Sequence, residues 1–337
     1  MSSDLPSSPV DGWSGRVDGT APEHLRWHQA VRPADDDAAA TDDAPGRSTA
    51  LVGFASDEGV RRNNGRVGAS EGPAALRAAL SSLAVLEGTG ALVDAGDVVV
   101  ERGSEDAPGD LEGGQEELAG RIAELLDAHT LTVVLGGGHE TAYASATGLV
   151  RSRHVAGGTR VGILNLDAHF DLREAPRPSS GTPFLQALRD ADAAEHEIAY
   201  AIVGISEANN TRVLFDTARE RGVTWLTDEQ SQTADVTGVR RFVRAFIDAV
   251  DVLYLTIDLD VLPAAVAPGV SAPAGFGVPY EVIHACTLEA TQSGKLALAD
   301  VVELNPALDV DGRTAKAAAR LIHTIVSRHR TDASLLA

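Results

Sequence analysis

RVGILNLDAHFDLR, residues 160–173, joins a short apolar run to three ionisable side chains. The run 161–166 is rich in branched residues, which fits a strand buried on both faces. It leads directly into Asp167, His169 and Asp171. Residues two apart on an extended chain point the same way, so Asp167 and His169 can converge. Asp171 follows as the chain leaves the strand. Ionisable groups this dense at the end of a buried strand are costly unless something pairs them, and a metal ion would do so.

The same alternation of apolar strand and helical segment runs outward in both directions. Strands are expected at 50–54, 91–95, 132–135, 161–166, 199–203, 223–226, 252–257 and 297–302. Helical patterns lie between them at 72–84, 113–128, 140–150, 183–192, 211–221, 239–250 and 280–293, and a last one at 309–329 closes the chain. Strands joined by connections this long form a parallel sheet covered by helices, an α/β fold. No repeat or linker divides the pattern, so residues 48–337 are expected to be one catalytic domain. Residues 1–47 read as an N-terminal arm. Trp13 and Trp27 should pin that arm by surface packing, and the acidic segment 34–46, ADDDAAATDDAPG, reads as a mobile loop.

Composition narrows the class. The chain has 337 residues, 44% of them hydrophobic, enough for a full core. No run of eighteen apolar residues exists to span a membrane. The N-terminus lacks a basic start and apolar centre, so no secretory signal is expected. The single cysteine, Cys286, excludes an internal disulfide and suits a reducing cytoplasm. A net charge of -21 argues against nucleic acid, which needs a basic footprint. Lys295 and Lys316 are the only lysines. Such an acidic surface repels itself, so stability is expected to rise with salt.

Four strands end in chemistry. The strand at 132–135 runs into GGGHE with His139, 161–166 into DAHFD, 252–257 into DLD with Asp258 and Asp260, and 297–302 into ELNP with Glu303. The carboxyl ends of parallel strands form the edge where ligands bind. Each motif alone has a bland alternative: an oriented histidine, a helix start, a turn. Together they define six candidate metal ligands, His139, Asp167, His169, Asp171, Asp258 and Asp260. Four carboxylates carry a charge of -4, which two dications would neutralise and one would not. Oxygen donors with two imidazoles and no thiolate favour Mn2+ over a structural zinc. A pair of such ions about 3.5–4 Å apart can hold a water and yield hydroxide near neutral pH. GGGHE has no following lysine, so it is no phosphate loop; its glycines suit close backbone approach.

At these residues the sequence resembles the ureohydrolase family, which includes arginase and agmatinase. GG-x-H, DAH-x-D and D-x-D are specific as a set, and the likeness runs from about Ala50 to the end of VVELNP. The resemblance implies a three-layer α/β/α fold on an eight-stranded parallel sheet, two Mn2+ per subunit, and a homo-oligomer, trimer or hexamer. It implies Asp167 and Asp258 as bridging ligands. His139 and Asp171 would complete one ion, and His169 and Asp260 the other. Asp171 would also accept a hydrogen bond from the hydroxide, and Glu303 would hold the cationic amidine-like group of the substrate. FASDEGVRRNNGRVGASEGP, GGGHETA, SSGTPF and DLDVLPAAVAPGVSAPA, with WSGRVDG and RWHQA in the arm, bring the likeness closest to the branch that hydrolyses N-formimidoyl-L-glutamate. Its products would be L-glutamate and formamide, in histidine breakdown.

Two positions depart from the family pattern. Gly138 stands where many relatives carry an aspartate, and Ser180 where guanidine-cleaving members carry a histidine. Serine has no pKa near neutrality and cannot shuttle that proton. A substrate with two carboxylates also needs local cations in so acidic a protein. Arg61 and Arg62, with Asn64, follow the first strand, and Asn209, Asn210 and Arg212 follow the fifth. Arginine forms bidentate pairs with carboxylates, though each could instead serve a surface salt bridge. Another ureohydrolase, such as an agmatinase or guanidinobutyrase, and a catalytically silent metal-binding regulator remain alternatives.

Overall fold

The computed structural model describes residues 12–34, 47–104 and 106–331; the acidic segment lies, Ala34 apart, outside the described residues. Branched and apolar runs form β1 (Val31–Pro33), β2 (Ser48–Ala55), β3 (Ala91–Val99), β4 (Leu131–Leu135), β5 (Arg160–Leu166), β6 (Glu197–Ile205), β7 (Thr224–Thr227), β8 (Val252–Asp258) and β9 (Leu296–Val302). All pair in parallel, in the order β1-β3-β2-β4-β9-β8-β5-β6-β7. The helices are α1 (Trp27–Ala30), α2 (Glu58–Arg62), α3 (Gly72–Ser81), α4 (Leu111–Ala128), α5 (Thr141–Arg151), α6 (Pro183–Ala193), α7 (Arg212–Glu220), α8 (Val236–Asp248), α9 (Tyr280–Thr291) and α10 (Arg313–Arg328). One apolar cluster packs residues of α3, α8, α9 and α10 on the sheet, and a second packs α4, α5 and α6. The result is helix, sheet, helix in three layers. Among the described residues no helix is long and apolar enough to cross a membrane.

The sheet has nine strands, not the expected eight. The extra one, β1, comes from the arm and lies beside β3 at the edge of the sheet. It is three residues long and ends in Pro33, which an edge tolerates because no neighbour there needs its missing N–H. Trp13 and Trp27, expected to pack on the surface, are interior: only 2% and 0% exposed, with rings stacked 6.2 Å apart. Trp13 Nε1 donates to Asp94 at 2.6 Å, and Arg77 grips the same carboxylate at 2.7 and 2.9 Å. Capping moves several helix ends. Asp110 accepts from Gly113 N, so α4 starts two residues before its apolar pattern. Asp309 accepts from Thr314 N and Ala315 N, which places it before α10 rather than inside it.

Sheet order places the chemistry. β4, β9, β8 and β5 are consecutive neighbours although far apart in sequence. Their carboxyl ends therefore open on one spot, near the centre of the sheet where strand order reverses.

Candidate metal centre

Asp167 lies one residue beyond β5, and a local turn rather than continued strand brings His169 beside it. The Asp167 Oδ1 atom accepts from His169 N at 2.7 Å. Asp258, the last residue of β8, does the same: its Oδ1 accepts from Asp260 N at 2.8 Å. This side-chain-to-backbone turn, which aspartate makes readily, is the physical content of the D-x-H and D-x-D spacing. It aims each carboxylate and folds the residue two places on toward it.

The six expected ligands meet. His139 Nδ1 lies 3.2 Å from Asp167 Oδ2, 3.0 Å from Asp171 Oδ2 and 3.2 Å from Asp258 Oδ2. His169 Nδ1 lies 3.1 Å from Asp260 Oδ2 and 3.6 Å from Asp167 Oδ1. Two donor sets result, His139–Asp167–Asp171 and Asp167–His169–Asp260, sharing Asp167. The first set is sunk in the protein. His169 keeps 20% of its side chain exposed, so the second set lies nearer solvent.

The donors fit a pair of cations. His139 Nδ1 and Asp260 Oδ1 are buried with no hydrogen-bond partner, a cost that a metal bond removes. The electrostatics agree. Burial, then the charges of Asp260 and Asp167, pushes the Asp258 carboxyl well above the ordinary range. Burial raises Asp171 and Asp260 as well. Asp167 alone is lowered: burial opposes its charge, but it touches both imidazoles. Three carboxylates that resist ionising together are a site short of positive charge. Asp171 also sits in left-handed backbone at φ 49°, and Glu303 at φ 69°, conformations that a rigid surround must impose.

Glu303 follows β9 and accepts from His139 N at 2.8 Å. Burial, with the Glu140 charge next, pushes its carboxyl up to about 8. Glu140 is itself wholly buried and pushed up to about 7, chiefly by burial. Its Oε1 accepts from Ser56 Oγ and Gly59 N, both at 2.9 Å, tying the β2–α2 turn to the strand end bearing His139. Glu140 also accounts for Gly138: a Cβ there would lie 2.1 Å from Glu140 Oε2, so this glutamate fills the space an acidic residue 138 would need. A Cβ on Gly137 would meet Ser56 O at 1.9 Å, the close backbone approach expected of this loop.

The residues expected to wall the substrate are more dispersed. Arg62 donates to Glu58, Glu112, Gly109 O and Pro178 O. Arg61 pairs with Glu58 at 2.7 Å. Asn64 is exposed, at φ 59°. Asn210 is buried, accepting from Phe170 N at 3.2 Å and donating to Ala168 O and Ser206 O at 2.8 Å, so it braces the loop that carries the expected ligands Asp167, His169 and Asp171. Asn209 and Arg212 are exposed. Sequence reading missed Arg173, two residues beyond Asp171. It is exposed and donates to Asn63 Oδ1 at 3.1 Å, and among the described residues no carboxylate pairs with it. Asn63 in turn donates to Ser180 Oγ at 3.1 Å.

Comparison with known proteins places this fold. The model of the arginase family matches residues 47–327. The formimidoylglutamase of Nocardia farcinica is 54% identical over 325 residues, covering 95% of this chain and 97% of that protein. That of Rhodococcus opacus is 52% identical over 320 residues, covering 95% and 96%. A formiminoglutamase from Trypanosoma cruzi, solved with two Mn2+, superposes with a TM-score of 0.73 at 24% identity, covering 86% of this chain and 95% of that one; at that identity the likeness speaks to fold. The chain belongs to the arginase family. By that kinship it is a metal-dependent amidohydrolase.

Proposed function

We propose that the protein is a cytoplasmic formimidoylglutamase, hydrolysing N-formimidoyl-L-glutamate to L-glutamate and formamide as a step of histidine degradation. One observation carries the chemistry: Asp167 turns one carboxylate oxygen toward each of two imidazole-bearing half-sites. The near-full-length kinship with formimidoylglutamases supports the substrate.

His139 and Asp171 would hold one Mn2+ and His169 and Asp260 the other, with Asp167 and Asp258 serving both; such ions would lower the pKa of water and supply a nucleophile near neutral pH. Asp171 accepts the hydrogen bond of the attacking water. Glu303 offers a buried carboxylate to the cationic formimidoyl nitrogen, where low dielectric strengthens the attraction. Arg62 and Asn210, engaged with the protein itself, brace the loops. The substrate carboxylates fall to Arg173, with Arg61, Asn64, Asn209 and Arg212 on the surrounding rim. Ser180 cannot protonate a guanidine leaving group, which argues against agmatinase or guanidinobutyrase chemistry. On the family resemblance the native particle is a homo-oligomer, trimer or hexamer, with no nucleic-acid or membrane partner.

A substrate panel tests the reading. Mn2+-loaded protein is incubated with N-formimidoyl-L-glutamate, agmatine, guanidinobutyrate and arginine, and formamide and urea are assayed. Formamide from the first compound alone is expected. Urea from any guanidine compound would refute the assignment, and metal uptake with no turnover would favour the silent regulator.

A further inference from the structure

Asp300 is an acid in the middle of a buried strand, LALADVV, 0% exposed and outside every role assigned so far. Register pairs it directly with Thr256 on β8, also 0% exposed, so the two side chains share one face of the sheet. Two hydroxyls donate to this carboxylate: Ser145 Oγ, on α5, reaches Oδ2 at 2.8 Å, and Tyr254 donates to the same oxygen. The Thr256 hydroxyl stands beside it by register. The other oxygen, Oδ1, has no partner. A carboxylate in this setting must be fixed by its donors or its burial is unfavourable.

The network reaches the metal centre through one contact. His139 Nε2 lies 3.0 Å from Thr256 Oγ1. A threonine hydroxyl has a single proton. If that proton goes to Asp300, the oxygen can only accept from His139, so Nε2 carries the hydrogen and Nδ1 is left bare. Nδ1 is the nitrogen surrounded by Asp167, Asp171 and Asp258 and lacking a partner. Phe184 packs edge-on against the same imidazole, with centroids 5.2 Å apart and planes at 82°, and limits its swing.

We propose that Asp300 and Thr256 are positioning residues that fix the tautomer and orientation of His139 for cation binding. The inference rests on the reading of His139 as a metal ligand. A hydroxyl interposed between imidazole and acid does here what a carboxylate does when it touches a ligating histidine directly, and loss of such partners typically weakens metal binding about 10–100-fold. A purely architectural role, seating α5 on the sheet, would affect stability and leave metal binding unchanged.

The test is Mn2+ titration of metal-free protein by calorimetry, with apo-state melting temperatures recorded in parallel. Thr256→Val keeps the volume and removes the hydroxyl. It is expected to weaken one of two sites about 10–100-fold and leave the other near wild type. Thr256→Ser restores the hydroxyl and should bind as wild type. Asp300→Asn, which turns a donor toward the hydroxyls, should weaken the same site. Wild-type binding of both ions by Thr256→Val and Asp300→Asn would overturn the proposal. Equal weakening of both sites with a lower melting temperature would overturn it too, as would failure of Thr256→Ser to restore binding. Wild-type protein that takes up no Mn2+ would overturn this proposal and the metal reading together; normal wild-type uptake beside unaffected variants would overturn this one alone.

Discussion

Replacing Glu303 with glutamine removes a charge while keeping a shape. The amide oxygen can still accept from His139 N, so the 2.8 Å bond that holds this ligand's backbone survives. What is lost is the ion pair with the proposed cationic substrate nitrogen: burial holds the carboxyl up at about 8, and an arriving cation favours its ionised form, which an amide cannot adopt. Hydrogen bonds to charged groups contribute about 1.5–3 kcal/mol. At 1.36 kcal/mol per tenfold, kcat/KM should fall roughly 10–150-fold. Glu303→Ala differs in kind: it orphans the buried His139 N–H at a further cost of about 1–3 kcal/mol, and metal retention should suffer along with turnover. Steady-state formamide release, Mn2+ content and melting temperature separate the two variants. A Glu303→Gln enzyme with full kcat/KM, or one that has lost its metal, would refute the assigned role.

Three further outcomes are expected. Asp258→Ala removes an oxygen donor 3.2 Å from His139 Nδ1 and should strip metal and abolish formamide release; full turnover in a metal-free preparation would contradict the mechanism. His329 is buried, 2.8 Å from Leu296 O, and burial holds its imidazole down at about 4, against 6.5 for an exposed one. The unfolded chain takes that proton first, so the contribution is complete above pH 6.5 and is lost as pH falls toward 4. About 2 kcal/mol should be gone by pH 5, and urea titrations at pH 7 and pH 5 should show a smaller loss for His329→Gln. With a net charge of -21, the melting temperature should rise from low to high salt as repulsion is screened; a flat or falling trend would count against surface repulsion as a destabilising force.

The parallel sheet and the convergence of the six expected ligands were legible because both write themselves into short runs: an apolar strand, then Asp or His at its carboxyl end. The turn geometry was not. Asp167 and Asp258 lie at or beyond the strand ends, and backbone N–H bonds to their own side chains bring His169 and Asp260 round, which a strand-alternation argument reaches by the wrong route. β1 was missed because three residues ending in proline carry no periodicity. The tryptophans looked like surface pins because the sequence does not show that Asp94 and Arg77 wait beneath Trp13. Arg62 looked free for substrate because its partners Glu112 and Pro178 come from distant parts of the chain. Asp300 and Thr256 hid in strands otherwise apolar; a lone acid inside such a run was the signal available.

Two dications are proposed to share Asp167 and Asp258 between the two histidines. Crystals grown with Mn2+ and an anomalous difference map put this to the test. Two peaks per chain are expected, about 3.5–4 Å apart, one beside His139 and one beside His169. A single peak with no room for a second, or none at these residues, would contradict it.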